Sequence, residues 1–210
     1  MAPHLEKEIA LLRQGYSVIA GIDEAGRGAW AGPVVAAAVV LPTNHADMVV
    51  QLHGLDDSKK LSASQRDQYF DLIGQLAVDS ATCAVSPERI DEINILAATR
   101  QAMQTAIRSL TPLPDHLLID YVRLPQLNIH QDAFAKADRI SLSVAAASVL
   151  AKVTRDRIMI TLAKQYPQYG FERHKGYGTK QHQAALQQYG STPIHRLTFK
   201  PLRALSNRLI

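Results

Sequence analysis

The sequence predicts an α/β protein in which a mixed β-sheet is flanked by helices. Apolar, partly β-branched runs bounded by Gly and Pro follow one another near the N-terminus, as strands do. Segments with apolar residues at helical spacing then alternate with further short apolar runs. The 210 residues are 47% hydrophobic and 20% charged, which suits one domain with a substantial core.

The first half of the chain predicts two helices and three strands. One helix is expected over residues 4–14, where apolar residues recur at helical spacing. A second is expected over residues 62–77, because Ser62 and Gln65 stand at the spacing of a capping box. Strands are expected in the apolar runs "SVIAGID", "PVVAAAVVLP" and "AVDSATCAVS".

The second half predicts three helices and one strand. Pro87 suits the first position of a helix, and the apolar spacing predicts a single helix over residues 87–110. The run "HLLIDY" predicts a short buried strand that ends in Asp120. Residues 141–166 predict a long helix, apolar nearly all round in its first half and therefore buried. The segment "TKQHQAALQQYG" predicts the last helix.

Several classes of protein are disfavoured by the composition. No apolar stretch approaches the ~18 residues of a membrane span, and the N-terminal segment lacks the apolar core of a secretory signal. Cys83 is the only cysteine, so no internal disulfide can form, and its predicted strand favours a small buried side chain. A reducing, cytoplasmic compartment is expected.

Charge is divided unevenly along the chain. Residues 1–151 hold 12 Lys/Arg and 17 Asp/Glu, whereas residues 152–210 hold 11 Lys/Arg and two acids, a net charge of +9. Clustered Lys and Arg attract phosphates, so a polyanionic partner is expected, with a solvated basic tail as the alternative. Lys175, Lys180 and Arg196 are the first candidates for phosphate contacts.

Two predicted strands end in carboxylates. Asp23 and Glu24 follow the run "IAGI", and Asp120 follows "LLI". Strand ends that lie side by side meet at one edge of a sheet, so these acids are expected to converge, with Asp138 as a fourth candidate. Converging carboxylates repel unless a cation neutralises them, and all-oxygen ligands favour Mg²⁺ or Mn²⁺. The alternative for any single aspartate is a turn or capping residue.

A glycine-rich turn follows the first carboxylate pair. Gly26, Gly28 and Gly32 are spaced G-x-G-x-x-x-G, one residue too long for a dinucleotide-binding turn, and Pro33 and a β-branched run follow instead of a helix. No P-loop motif occurs. Glycines in such a turn let main-chain groups approach a bound molecule closely.

Five segments together resemble one family. "GIDEAGRGAWAGPVVAAAVVLP", "DDSKKLS", "LLID", "AKAD…SVAAASVLAKVTRD" and "HKGYGTKQH" are similar, in this order, to bacterial type 2 ribonuclease H, from about residue 19 to 200. The resemblance implies a ribonuclease H-like fold with a five-stranded mixed sheet. It also implies a catalytic domain over residues 1–165 and a small, basic helical extension over residues 166–210, packed on that domain.

The implied activity is cutting on the 5′ side of a ribonucleotide, leaving a 3′-hydroxyl and a 5′-phosphate. The implied substrates are RNA–DNA hybrids and duplex DNA with embedded ribonucleotides, and a monomer is expected. The resemblance implies that two Mn²⁺ or Mg²⁺ ions are held by four catalytic carboxylates, Asp23, Glu24, Asp120 and Asp138.

The expected substrate-binding residues lie in three segments. Backbone groups at Gly26 and Gly28 would recognise the 2′-hydroxyl, and Arg27 would hold the adjacent phosphate. Tyr177 would pack on the deoxyribose that follows the ribonucleotide. Phosphate contacts are expected from the segment before the second helix, namely from Ser58, Lys59 and Lys60, although a solvated lysine pair is the alternative.

Two positions complicate the match. The family usually has glycine after the third carboxylate, whereas this chain has Tyr121. Asp156 lies within a predicted helix between Arg155 and Arg157, where an ion pair is the expected role, so Asp138 is preferred as the fourth carboxylate.

Other residues in the matching segments are expected to be structural. Small side chains at Ala145, Ala146, Ala147 and Ser148 would let their helix lie close to the sheet. The histidines His174, His182 and His195 lack metal-ligand spacing and are expected to be structural or at the surface.

Two other classes of function are compatible with part of the sequence. A nucleic-acid-binding protein without cleavage would explain the basic segment but not the acids. A phosphohydrolase of small esters would explain the acids but not the basic segment.

Overall fold

The structure is a computed structural model that describes residues 3–43, 46–55, 58 and 61–206. Five strands form one sheet in the order β3-β2-β1-β4-β5. They are β1 (Ile19–Ala25), β2 (Val34–Val40), β3 (Asp79–Val85), β4 (His116–Asp120) and β5 (His130–Phe134). The first three strands pair antiparallel, while β4 is parallel to β1 and β5 is parallel to β4. The predicted mixed sheet is thus confirmed.

Helices cover both faces of the sheet. The α-helices of the described chain are α1 (Glu6–Arg13), α2 (Ala46–Gln51), α3 (Ala63–Leu76), α4 (Pro87–Ile93), α5 (Ile95–Arg108), α6 (Leu142–Gln165), α7 (Phe171–His174), α8 (Lys180–Tyr189) and α9 (Lys200–Ser206). Successive residues of β2 face opposite ways: Ala36 packs with α4 and α5, and Ala37 packs with α2, α3 and α6. The predicted capping box at Ser62 opens α3.

The helix α6 lies unusually close to β1. A Cβ added to Gly21 would come within 2.1 Å of the main-chain carbon of Ser143. Ala145, Ala146 and Ala147 are fully buried against the sheet, which confirms their predicted packing role. Only small side chains allow this distance, so the sequence "SVAAAS" sets the separation between helix and sheet.

The prediction of a single helix over residues 87–110 is wrong, because the chain forms the two helices α4 and α5 there. Asn94 between them has a φ of 67° and a ψ of 163°, a conformation that cannot continue a helix. Its side-chain oxygen accepts from the N–H groups of Leu96 and Ala97, which caps α5. The apolar spacing continues through the break and therefore conceals it.

The strand β5 was not predicted from the sequence pattern. Its residues His130–Phe134 are partly or largely exposed, so the segment lacks the apolar alternation of a strand. Cys83 lies on β3 as predicted, but it is half-buried at the margin of the core. None of the described helices is both long and apolar enough to cross a membrane.

The C-terminal helices share an apolar cluster with the end of α6. Met159 of α6 packs with Tyr169, Phe171 and Leu186, and Leu202 of α9 closes the cluster. Ala31, in the segment before β2, belongs to the same cluster. This packing places the turn between α7 and α8 next to the glycine-rich segment that follows β1.

Candidate active site

Three acids lie at one end of the central strands. Ile22 of β1 pairs with Ile119 of β4, so Asp23 and Asp120, the next residues along each strand, lie side by side. The Asp120 carboxylate accepts from the N–H of Ala137 at 3.0 Å, and this bond brings the turn that contains Asp138 to the same edge. Asp23 and Asp138 are both buried, with exposures of 6% and 5%.

The electrostatics of Asp23 show how crowded this edge is. Burial, and then the charges of Glu24 and Asp120, raise the pKa of Asp23 well above its usual value of 3.8. A hydrogen bond from the Ser148 hydroxyl and one from the N–H of Glu24, at 2.7 Å, act in the opposite direction. The carboxylates therefore repel one another, which a bound cation would relieve.

The donor set fits a hard divalent cation. The charges of Glu24 and Asp120 act on Asp23, and carboxylate oxygens such as theirs are preferred ligands of Mg²⁺ and Mn²⁺. Within the residues that the structure describes, no three His, Cys, Asp or Glu side chains are already close enough to hold an ion. Local hydrogen bonds hold Asp23 and Asp120 separately, so their side chains would have to turn towards a shared ion.

A cavity of about 480 Å³ opens beside the acids. Its lining comes from the end of β1, the glycine-rich turn, α6 and the α7–α8 turn: Glu24, Ala25, Gly26, Arg27, Gly28, Ser58, Ser148, Lys152 and Tyr177. The predicted substrate residues that the structure describes thus line one cavity. Lys59 and Lys60 lie outside the described residues.

Ser58 and Ser148 join the cavity wall to the acids. Their hydroxyl oxygens are 3.0 Å apart, and Ser148 also bonds to Asp23. Ser148 was expected to be a packing residue only, so its contact with the carboxylate is an addition to that prediction. A serine, unlike the alanines before it, can donate a proton to a buried carboxylate.

Arg27 forms an ion pair with the neighbouring carboxylate of Glu24. Its guanidinium lies 3.1 Å from Glu24 Oε1, and its side chain is 35% exposed. Because the group lines the cavity and remains partly open to solvent, a phosphate in the cavity could exchange with Glu24 as its partner.

The two glycines beside Arg27 differ in what they permit. Gly26 has a φ of 93°, and a Cβ at this position would lie 2.0 Å from Nε of Arg155. Glycine is therefore required here by the fold. Among the described residues, and apart from the two chain neighbours, no heavy atom lies within 4 Å of a Cβ built on Gly28. Gly28 is therefore the position where a ligand could approach the main chain.

Two fully buried arginines hold the segments around the cavity. Arg155 donates to the carbonyls of Pro33, Lys175 and Ala31 at 2.9, 2.9 and 3.1 Å. Arg196 donates to the carbonyls of Gly32 and Arg27, both at 3.0 Å. Each therefore ties the glycine-rich segment to another part of the chain.

Burial has electrostatic consequences for both arginines. Burial lowers the pKa of Arg155. Burial, and secondly repulsion by the charge of Arg155, lower the pKa of Arg196 to about 9. Arg196 was a candidate phosphate contact, and this prediction is wrong because its side chain is enclosed by main-chain carbonyls. The burial of Arg155 could have been predicted from the sequence. It lies seven residues after Ser148 and four before Met159, a spacing that places it on the buried face of α6.

The three predicted structural histidines form one buried group. His182 and His195 share a hydrogen bond of 3.0 Å between their Nε2 atoms. The Nδ1 atom of His182 lies 3.0 Å from the carbonyl of Tyr177, and His174 bonds to the carbonyl of Tyr169 at 2.8 Å. Burial lowers the pKa values of His182 and His195 to about 4, so both are neutral at pH 7.

The remaining predicted positions lie as follows. Tyr177 is 37% exposed at the cavity, and its ring centre is 5.3 Å from the Arg155 guanidinium. Asp156 forms an ion pair with Lys152 at 2.8 Å, so the expected ion pair is present, although neither neighbouring arginine is the partner. Tyr121 has a φ of 64°, the conformation that a glycine at this position would adopt most easily.

Comparison with known proteins gives concordant matches. Residues 20–202 match the family described as Ribonuclease HII. A ribonuclease HII of Roseiflexus castenholzii is 54% identical over 201 residues, which cover 95% of this chain and 89% of that protein. One of Chloroflexus aggregans is 50% identical over 205 residues, covering 98% and 97%. The crystal structure of ribonuclease H2 from Pyrococcus horikoshii matches with a TM-score of 0.78 at 29% identity, over 91% and 98% of the two chains.

The mixed five-stranded sheet flanked by helices is a ribonuclease H-like fold, and the matching relatives make the protein a ribonuclease H-type hydrolase. The chain belongs to the ribonuclease HII family. It is an endoribonuclease that acts on the RNA of RNA–DNA hybrids.

Proposed function

We propose that the chain cuts on the 5′ side of a ribonucleotide, both in RNA–DNA hybrids and at ribonucleotides embedded in duplex DNA, leaving a 3′-hydroxyl and a 5′-phosphate. The observation that carries this proposal is the shared cavity, in which Glu24, the open main chain at Gly28 and the Tyr177 ring meet. A single nucleotide entering it would face the acids, a sugar-reading turn and an aromatic ring together.

Asp23, Glu24, Asp120 and Asp138 would hold the metal ions. Bound Mn²⁺ or Mg²⁺ supplies activation of the attacking water and stabilisation of charge on the leaving 3′ oxygen. Within the chain itself, Ser148 orients the Asp23 carboxylate by its hydrogen bond. The N–H of Ala137 does the same for Asp120.

Selection of ribose requires contact with the 2′-hydroxyl, which is both a donor and an acceptor. The open main chain at Gly28 is the part of the cavity that could approach this group without steric conflict. Arg27 would neutralise the adjacent phosphate, and Tyr177 would cover the following sugar, where the lack of a 2′-hydroxyl leaves an apolar face. Ser58 would add a hydroxyl contact to the phosphate side of the cavity.

The domain organisation, the compartment and the oligomeric state are part of the same proposal. Residues 1–165 would form the catalytic domain and residues 166–210 a basic extension packed on it, supported by the apolar cluster at the end of α6. We further propose a cytoplasmic monomer, which agrees with a single, half-buried cysteine.

The test is cleavage of a labelled duplex that carries one ribonucleotide, with and without Mn²⁺ or Mg²⁺. A metal-dependent cut on the 5′ side of the ribonucleotide is expected, with Asp120→Asn lowering turnover by orders of magnitude. Asp156→Asn is the matched control, since that acid pairs with Lys152, and it should retain most activity. A cut on the 3′ side, or a greater loss in Asp156→Asn than in Asp138→Asn, would contradict the assignment.

A further inference from the structure

Tyr121 combines an unfavourable backbone with an exposed ring. Its φ of 64° lies in the left-handed region, where a residue with a Cβ is less stable than glycine. The ring is 68% exposed, so it contributes little to the core. The fold alone therefore gives no reason for an aromatic residue at this position, and backbone strain of this kind is concentrated at functional sites.

The backbone around Tyr121 is held firmly in this conformation. Its N–H donates to the carbonyl of Phe134 on β5 at 3.2 Å, and the next residue, Val122, is buried in the core. Asp120, immediately before it, is one of the candidate metal ligands. The strained position is thus a fixed turn that directs the ring outward at the acidic end of the sheet.

The ring lies beside the substrate cavity. The guanidinium carbon of Arg27 is 6.0 Å from the centre of the Tyr121 ring, and Arg27 itself lines the cavity and pairs with Glu24. Tyr121 extends this edge of the cavity with an apolar, flat surface next to a cation. A strand whose phosphate meets Arg27 would bring its neighbouring sugar to such a surface.

We propose that Tyr121 is a substrate contact, packing its ring against a sugar of the bound strand next to the phosphate that Arg27 holds. The inference rests on the proposed function, because it takes the cavity as the place where the strand binds. It adds a second aromatic contact to that of Tyr177, on the β4 side of the site. Tyr121 thus lowers the stability of the folded chain at this turn and increases its affinity for the strand.

The test compares Tyr121→Gly and Tyr121→Phe with the original chain. Tyr121→Gly should raise the melting temperature, because the backbone strain is relieved, and should weaken binding of a labelled RNA–DNA hybrid on the order of tenfold. Tyr121→Phe keeps the ring and should bind nearly as tightly as the original chain.

Binding is measured by fluorescence anisotropy in EDTA, and KM and kcat are measured with Mn²⁺. Tyr121→Gly should raise KM and change kcat little. Tyr189→Ala, which removes an exposed tyrosine at the end of α8, is the control and should leave binding unchanged.

A double-substitution cycle separates contact from positioning. If Tyr121 touches the strand itself, Tyr121→Gly should still weaken binding when made in an Arg27→Gln background. No further loss in that background would show that the ring acts only by placing Arg27, and would overturn the proposal. So would unchanged binding by Tyr121→Gly in the original chain. A cut on the 3′ side of the ribonucleotide would instead contradict the proposed function and leave the binding comparison valid.

Discussion

The guanidinium of Arg155 lies over the face of the Tyr177 ring and also holds the main chain that carries this ring. Its carbon lies 5.3 Å from the ring centre, and Nη1 donates to the carbonyl of Lys175, two residues before the tyrosine. The same side chain reaches Ala31 and Pro33. One buried cation thus fixes the distance between the tyrosine and the segment that leads into β2.

Replacing Arg155 by Lys should therefore destabilise the protein by roughly 3 kcal/mol, because a lysine cannot donate to three separate carbonyls in this arrangement. The free energy of unfolding in urea measures the effect. Arg157→Lys on the same helix is the control, since Arg157 is exposed and pairs with Asp67. That change should cost less than about 1 kcal/mol. Equal effects of the two substitutions would argue against the bonding role of Arg155.

The two glycines beside Arg27 should respond in opposite ways to alanine. Gly26→Ala should lower the melting temperature strongly, since the new Cβ would overlap Arg155 and the φ of 93° disfavours it. Gly28→Ala should leave the melting temperature nearly unchanged, because its Cβ has space among the described residues, yet it should reduce cleavage at least tenfold if a sugar approaches there. Thermal unfolding and cleavage assays on the same samples separate these effects. Full activity of Gly28→Ala would remove this residue from the sugar contact.

Removing the charge of Asp23 should stabilise the metal-free protein. A carboxyl whose pKa is raised in the folded state destabilises the fold once it ionises, so stability is lost as the pH rises above its usual value of 3.8. At pH 7 in EDTA, Asp23→Asn should raise the free energy of unfolding by about 1 kcal/mol. Adding Mn²⁺ should stabilise the original chain and not the variant. Asp67→Asn, at an exposed acid, is the control and should show no such gain.

The buried histidines predict a loss of stability in mild acid. His182 and His195 have pKa values of about 4 in the folded state, against 6.5 for an ordinary histidine. Unfolded histidines therefore bind protons first as the pH falls from 6.5 towards 4, which favours unfolding. By pH 5 each should cost on the order of 2 kcal/mol relative to pH 7. The fall should be smaller in His195→Gln and unchanged in His53→Gln, an exposed control, as measured by urea unfolding at both pH values.

Tyr177 should matter most at junctions between RNA and DNA. Tyr177→Ala should sharply reduce cutting at a single embedded ribonucleotide and reduce it less within a long hybrid, where the following sugar is a ribose. Tyr177→Phe should retain most junction activity if the ring face provides the contact. Equal losses on both substrates together with a lower melting temperature would indicate that the residue only maintains the turn between α7 and α8.

Much of the fold is predictable because its core elements have regular apolar spacing. The strand β2, the first four residues of β1 and the first ten residues of α6 are buried without interruption, so their sequences are almost wholly apolar. The acids could be predicted to meet because strand ends converge. Asn94 and β5 could not be predicted in this way, because a polar cap inside an apolar period and an exposed edge strand leave no periodic signal.

The roles of the buried arginines depend on contacts that are distant in sequence. Nε and Nη1 of Arg196 donate to the carbonyls of Gly32 and Arg27, which lie more than 160 residues earlier in the chain. A basic segment predicts phosphate binding for all its members alike. Which cations are instead used to hold main-chain segments is determined by tertiary packing, and composition does not show it.

The close contact between Gly21 and Ser143 has a mechanical consequence. With no gap between strand and helix, β1 and α6 must move as a single rigid body, and Asp23 and Ser148 both belong to it. Asp120 belongs to the neighbouring strand, and Asp138 to the short turn joined to it through Ala137. Because β4 also pairs with β1, the main chain at this edge offers little freedom, and adjustment to an incoming ion would fall mainly on rotation of the carboxylate side chains.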